Sequence, residues 1–295
     1  MVKVSVIIPT FNEESYLPRL LACLDSQTLD EFEVIVADAS STDRTAEIAD
    51  EHGARVVPGG LPAAGRNAGA EEANGEYYFF LDADVKFNRH FLKRAYNEMQ
   101  QRMIDVATCE ARPLSNVPLD RLMHNFANLY VKLNQYTNPM APGYCIMIHS
   151  RLFDRIGGFD EDVTHAEDFD LIRRAAELRP FRVLEKVHIN VSVRRYRKEG
   201  RLAFIGHSLA VSWHRTFRGE ITEDFDYEFG DFDEKGADSR LRRIEKGMHK
   251  LTREYRRLAK RVRESSGPEE TAIAPLARKM KELYGRIWSD ETTHG

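Results

Sequence analysis

The sequence predicts an α/β fold: a mostly parallel sheet flanked by helices, with a helical C-terminal extension. Two observations in the first hundred residues carry the sheet. Short runs of β-branched and aromatic residues alternate with segments whose apolar residues recur every three or four positions. The runs are apolar at successive positions, as in strands covered on both faces, and the alternation implies right-handed crossovers between parallel strands. The third observation lies beyond residue 240, where apolar residues repeat as a heptad among Arg and Lys.

Val4 to Ile8 is the first β-branched run, and Tyr16, Leu17, Leu20, Leu21 and Leu24 give a helix over Glu13 to Asp25. Phe32 to Ala37 is the second strand and ends at Asp38. Ser41 to Thr45 opens a helix reaching His52, with Gly53 as its C-terminal stop. Ala54 to Val57 is a short strand, Ala63 to Ala73 a helix, and Asn74-Gly75 turns the chain into the run Tyr77 to Leu81. Asn88 to Ile104 is an amphipathic helix and Val106 to Glu110 a strand. Leu119, Leu122, Met123, Phe126, Leu129, Tyr130 and Leu133 share one face of a long helix. A Pro/Gly-rich loop from Pro139 to Gly143 leads to a strand over Tyr144 to His149. Arg151 to Ile156 is a short helix closed by Gly157-Gly158, Glu167 to Leu178 a helix with an acidic first turn, and Val183 to Val193 an edge-like strand. These elements place one domain over residues 1–220 and an extension over 221–295, built from an acidic, aromatic linker (Glu223 to Glu234), the heptad helix and a tail.

The chain has 295 residues, 42% hydrophobic and 31% charged, the composition of an ordinary soluble domain. A formal net charge of −4 argues against a nucleic-acid partner, which calls for a basic surface. Cys23, Cys109 and Cys145 have no zinc spacing and form no disulfide framework, which fits a reducing, cytoplasmic setting. No cationic leader precedes the first strand, and no apolar stretch approaches the ~18 residues of a membrane span. Work on a membrane substrate is therefore expected only from the inner membrane surface, as a peripheral contact.

Asp82-Ala83-Asp84 follows the strand Tyr77 to Leu81 directly. Two carboxylates one residue apart make a hard oxygen site suited to Mg²⁺ or Mn²⁺, which take one or two protein carboxylates plus substrate phosphates. Ligands of open α/β sheets bind outside the carboxyl ends of the strands, where this triplet stands. Asp38 shares that edge and can accept the N–H of a planar base, whereas Ser41, Thr42 and Asp43 read as caps of the next helix. Pro9-Thr10-Phe11-Asn12-Glu13-Glu14 leaves the first strand at the same edge; Phe11 can stack on a base, and Asn12 can cap a helix. Arg66, in Gly65-Arg66-Asn67-Ala68-Gly69, offers a planar cation to a phosphate or base, or else is a solvated surface residue. His165-Ala166-Glu167-Asp168-Phe169-Asp170 holds more acids than a helix start requires, and one of them can accept a proton from an attacking hydroxyl. Arg194 and Arg195, in the basic cluster Val191 to Lys198, can stabilise a departing diphosphate or form a solvated rim.

Together these segments, with Gly157-Gly158-Phe159-Asp160-Glu161, resemble the family 2 glycosyltransferases of the GT-A fold over roughly residues 3 to 200, in the family's order. The resemblance implies that Pro9, Thr10, Phe11, Asn12 and Glu13 line the nucleotide pocket, that Asp38 reads the base, and that Arg66 lies beside the nucleotide. It places Asp82 and Ala83 at the ribose or metal, and Asp84 on the divalent ion of the diphosphate. Asp168 is then the general base, Glu167 and Gly143 lie on the acceptor side, and Arg194 and Arg195 match an Arg-rich element near the diphosphate. The Gln-x-x-Arg-Trp motif and transmembrane helices of processive members are missing from the sequence, so a polymerising synthase is not expected.

The resemblance implies an inverting, single-displacement transfer from a UDP- or GDP-linked sugar donor to a saccharide or lipid-linked acceptor, with Mg²⁺ or Mn²⁺. A nucleotidyltransferase is the alternative enzyme, but it would carry a Gly-rich basic loop where this chain has Pro-Thr-Phe-Asn-Glu-Glu. A sugar-nucleotide-binding protein without catalysis is the other alternative, and the presence of both Asp84 and Asp168 speaks against it. The heptad over residues 241–262 reads as a homodimer seam, a helix packed on its own domain, or a basic helix on anionic lipid. Its narrow stripe favours the first two.

Overall fold

The structure, a computed structural model, describes residues 2–163 and 166–194. In chain order the elements begin with β1 (Val4–Thr10), α1 (Leu17–Asp25), β2 (Phe32–Asp38), α2 (Thr45–Glu51) and β3 (Arg55–Pro58). Next come α3 (Pro62–Glu71), β4 (Tyr77–Leu81), β5 (Val85–Lys86), α4 (Phe91–Arg102) and β6 (Val106–Pro113). The last are α5 (Pro118–Asn134), β7 (Cys145–His149), α6 (Ser150–Ile156), α7 (Glu167–Leu178) and β8 (Phe181–Val191). The described residues fall into two compact units: 2–114 with 135–192, and 115–134 with 193–194.

The first unit is one mixed sheet with strand order β3-β2-β1-β4-β7-β6-β8-β5. Its first four strands are parallel, as the strand–helix alternation predicts. β7 then enters antiparallel between β4 and β6, while β6 and β8 are parallel again. β4 stands at the centre with all five residues buried, because Tyr77-Tyr78-Phe79-Phe80-Leu81 presents bulk to both faces. Tyr77, Phe79 and Leu81 join the main core beside Val4, Val6 and Ile8 of β1. On the other face, Tyr78 and Phe80 pack edge-on against Phe153 and Phe159. Each such ring removes enough apolar surface from water to contribute about 1.5–3 kcal/mol. α3 lies close over β1: a Cβ on Gly69 would collide with Cγ2 of Ile7, so only glycine permits this approach.

α1 starts at Leu17 rather than Glu13, because the residues before it are committed to the neighbouring loop. Asn12 adopts φ 53, the left-handed region that Asn tolerates, and its Oδ1 accepts the Thr42 N–H at 2.9 Å. The Glu13 N–H donates to Thr45 Oγ1 at 2.8 Å and the Glu14 N–H to Asp43 at 3.2 Å. Asn12 therefore does not cap α1, whose N-cap position, Tyr16, makes no side-chain cap bond. For the same reason α2 begins only at Thr45, since Ser41 and Thr42 serve the strand-end loops.

β8 carries an irregularity: its register with β6 jumps from Cys109↔Leu184 to Glu110↔His188. Glu98 of α4, 1% exposed, holds the bulge by accepting the N–H groups of Glu185 and Lys186 at 3.0 and 2.9 Å. In the second unit, α5 buries Leu122, Phe126, Leu129 and Leu133, the face its spacing predicts. The segments over 221–234 and 241–262 fall outside the described residues. No helix among the described residues is long and apolar enough to cross a membrane.

Candidate active site

The strand ends β1 and β2 form the first part of the site. Thr10 and Asp38 are register partners, and Thr10 Oγ1 donates to Asp38 Oδ1 at 3.0 Å. Ser41 adds two bonds to the same carboxylate, from Oγ at 2.6 Å and from its N–H at 2.8 Å. Three of a carboxylate's roughly four acceptor positions are thus used, and Asp38 retains acceptor capacity at a partly exposed strand tip. Phe11 follows at 60% exposure, an unusual position for a large apolar ring. Pro9 packs its Cβ toward Gly65 at the start of α3, which sets the spacing between the two loops. Glu13 is partly exposed and joined through its N–H to Thr45.

The second part is built around Arg66. The residue is only 4% exposed, so it is not the solvated arginine that its local sequence allows. Nη1 donates to Glu167 at 2.6 Å and Nη2 to Asp82 at 3.3 Å, and the guanidinium lies 5.4 Å over the Phe159 ring. Burial opposes the positive charge, but Asp82, Glu167 and Asp168 outweigh it and raise the Arg66 pKa. Asp82 thus reaches the same cation as Glu167, although 85 residues separate them. Its side chain is 39% exposed, whereas Ala83 and Asp84 behind it are buried. Arg19 Nη2 fixes this loop by donating to the Asp84 carbonyl at 2.8 Å.

Asp168 lies beside Glu167 in the first turn of α7. Its Oδ1 accepts the Phe169 N–H at 2.8 Å, and the backbone of Gly143 supplies a second hydrogen bond. The carboxyl is enclosed by protein atoms although the residue keeps partial exposure. Burial first, then the Glu167 charge, push its pKa up to about 6, against Arg66 and the two N–H groups. A Cβ added to Gly143 would stand 2.9 Å from Arg66 Nη2 and 3.3 Å from Asp168 Oδ2, so Gly143 floors the gap between them.

The remaining acids of this region have structural partners. Asp170 binds Arg173 and Arg174, and Arg174 also donates to the carbonyls of Ile156 and Gly158. Asp160 accepts the Asp162 N–H. Asn67, which the sequence reading did not single out, clamps the glycine loop: its Oδ1 accepts the Phe159 N–H at 2.9 Å, and Nδ2 donates to the Phe159 carbonyl and to Glu161. Its place inside Gly65–Gly69 was the only available signal. Arg194 belongs to the second compact unit, and Arg195 lies outside the described residues. Among the described residues no group of three or more His, Cys, Asp or Glu gathers as a metal cluster.

Several known proteins are similar to this chain. The poly(ribitol-phosphate) β-N-acetylglucosaminyltransferase TarS of Staphylococcus aureus is 35% identical over 116 residues, 36% of this chain and 20% of that enzyme. The 4,4'-diaponeurosporenoate glycosyltransferase of Staphylococcus haemolyticus is 40% identical over 112 residues, 34% of this chain and 30% of that enzyme. The chain thus spans a third or less of the length of these two relatives. The crystal structure of S. aureus TarS 1–349 in complex with UDP-GlcNAc matches with a TM-score of 0.56 at 25% identity, covering 73% of each chain. The mannosyltransferase PcManGT of Pyrobaculum calidifontis, in complex with GDP-Man and Mn²⁺, shares the fold with a TM-score of 0.51 at 17% identity, covering 99% of this chain and 76% of that one. The glycosyl transferase family 2 model matches residues 5–157, more than half of the sequence, and the chain belongs to that family.

Proposed function

We propose that the chain transfers a sugar, with inversion, from a UDP- or GDP-linked donor to an acceptor hydroxyl in a single displacement. The observation that carries this reading is the convergence on Arg66 of Asp82, from the end of β4, and Glu167, from α7, with Asp168 against the same Gly143 position. Donor-side and acceptor-side carboxylates therefore share one locality. UDP-GlcNAc in the related TarS structure supports the donor class. The acceptor is a saccharide or a lipid-linked glycan.

Asp38 accepts an N–H from the base, and the exposed Phe11 ring offers a stacking surface beside it. Asp82 and Asp84 are hard donors at a strand end, a fit for Mg²⁺ or Mn²⁺, whose shell phosphate and water would complete. Such an ion, when bound, neutralises charge on the departing diphosphate. Asp168 takes the proton of the attacking hydroxyl. A pKa of about 6 leaves it ionised at neutral pH yet more basic than an ordinary aspartate, which suits a general base. The Gly143 and Phe169 N–H groups hold the carboxylate in place.

Nucleoside-diphosphate release tests this reading. With Mn²⁺, the chain should release UDP or GDP from at least one nucleotide sugar, EDTA should stop it, and Asp84→Asn should slow it about 100-fold or more. Silence across a panel of UDP- and GDP-sugars would contradict it.

A further inference from the structure

We infer that the donor base is uracil and not guanine, and that Thr10 and Ser41 make this choice by filling one oxygen of Asp38. The inference rests on the proposed transfer reaction and narrows its donor class.

The two oxygens of Asp38 are not equivalent. Oδ1 accepts the hydroxyls of Thr10 at 3.0 Å and Ser41 at 2.6 Å, which uses both of its lone pairs. Oδ2 accepts only the Ser41 N–H, at 2.8 Å, among the described residues. One acceptor position therefore remains, on Oδ2, at the partly exposed tip of β2. Both hydroxyls are held. Ser41 Oγ accepts the Asn12 N–H at 2.8 Å, which directs its own proton to Asp38. Ser40, at φ 59, adopts the left-handed conformation of the turn that brings Ser41 back onto the carboxylate. Thr10 is 4% exposed and is the register partner of Asp38, so little water competes for its hydroxyl.

The pairing edges of the bases differ in what they ask of a carboxylate. Uracil offers one N–H, at N3 between two carbonyls, and needs a single acceptor. Guanine offers two N–H groups side by side, at N1 and N2, which pair with both oxygens of one carboxylate. Seating guanine on Asp38 would displace Thr10 or Ser41 from Oδ1, or leave one N–H of the base unpaired. A polar group left unpaired is what a hydrogen-bonding site rejects most strongly. Cytosine carries no proton on N3, so its lone pair would face Oδ2 and be repelled. The single open position thus matches uracil alone among these three bases.

Calorimetry on the full chain with Mn²⁺ and UDP, GDP, CDP or inorganic pyrophosphate tests the inference. Wild type should bind UDP at least about tenfold more tightly than GDP or CDP. Thr10→Val keeps the shape of the side chain and opens one position on Oδ1, and Ser41→Ala opens the same oxygen by removing the other hydroxyl. Each should narrow the preference for UDP over GDP by about three- to tenfold, while pyrophosphate, which has no base, binds within about threefold of wild type. Thr10→Ser, which keeps the hydroxyl, should keep the wild-type preference. Wild type binding GDP or CDP as tightly as UDP would overturn the inference and leave the proposed transfer standing. So would a preference unmoved in both variants, with UDP, GDP and pyrophosphate weakened alike. Binding of neither UDP nor GDP by wild type would overturn the proposed function, and the inference with it. If Thr10→Val does not fold, Ser41→Ala carries the same measurements.

Discussion

Gly143→Ala should damage the site without replacing any ionisable group. Gly143 is not among the glycines with positive φ, so alanine meets no backbone penalty and the effect is steric. The new Cβ would lie 2.9 Å from Arg66 Nη2, about half an ångström short of ordinary van der Waals contact, and 3.3 Å from Asp168 Oδ2. An arginine tip usually yields easily, but this one is held by Glu167, Asp82 and Phe159. The 3.3 Å bond to Asp82 is already long and breaks first. Overpacking of this kind costs about 1–3 kcal/mol. That lowers the melting temperature by several degrees, at about 2–4 °C per kcal/mol for a domain of this size. Catalytic geometry tolerates about half an ångström of error, and a displacement near one ångström costs about 100-fold. Nucleoside-diphosphate release should therefore fall by about 10- to 100-fold, together with a lower midpoint in a thermal melt. Full activity at an unchanged midpoint would show that Arg66 and Asp168 do not crowd this glycine, and the reasoning would fail.

The Asp168 pKa of about 6 sets a pH dependence: kcat/KM should fall about tenfold per unit below pH 6, as the base takes up a proton. A profile flat to pH 5 would contradict this. The same shift acts on stability. The folded pKa lies above the unfolded value, so the stabilisation of the protonated form is complete below the ordinary aspartate range and is lost as pH rises through about 6. At pH 8 the charged carboxylate then costs on the order of 2–3 kcal/mol, and Asp168→Asn should melt no lower than wild type there. Asn67→Ala removes the bonds to Phe159 and Glu161, at about 1–3 kcal/mol. Faster amide exchange at Phe159 should report it, and unchanged exchange would refute the clamp on that loop.

Much of the scaffold was readable before any coordinates. β4 and α7 have the bounds read from sequence, because five successive bulky residues leave no choice of face and a clean amphipathic stripe follows an acidic first turn. Strand direction was not readable: an apolar run such as Cys145–His149 is the same string in either sense, so the antiparallel insertion of β7 is visible only in its pairing. β5 has two residues, too few for any period. The helix starts differ from the sequence pattern because Asn12 and Thr42 bond to each other across the loops after β1 and β2, while Ser41 turns back to Asp38 and Asp43 accepts the N–H groups of both Glu14 and Thr45. The strand pattern puts Asp38 at the end of β2 and Asp82 and Asp84 just past β4, and the acidic helix start puts Asp168 in the first turn of α7, which is where they stand. Arg66 reads locally as a contact for a phosphate or base or as a solvated arginine, and its carboxylate partners lie 16 and 101 residues away, where no local pattern encodes them. Gly143 reads locally as a loop glycine, and its use as a floor appears only when Arg66 and Asp168 meet above it.

Asp168→Asn, assayed side by side for nucleotide binding and for sugar transfer, bears most directly on the idea that one carboxylate of α7 accepts the proton. The variant should bind UDP or GDP with Mn²⁺ to within about threefold of wild type while transfer drops by at least about 100-fold. Transfer above about a tenth of the wild-type rate, a barrier change under ~1.4 kcal/mol, would assign the base elsewhere.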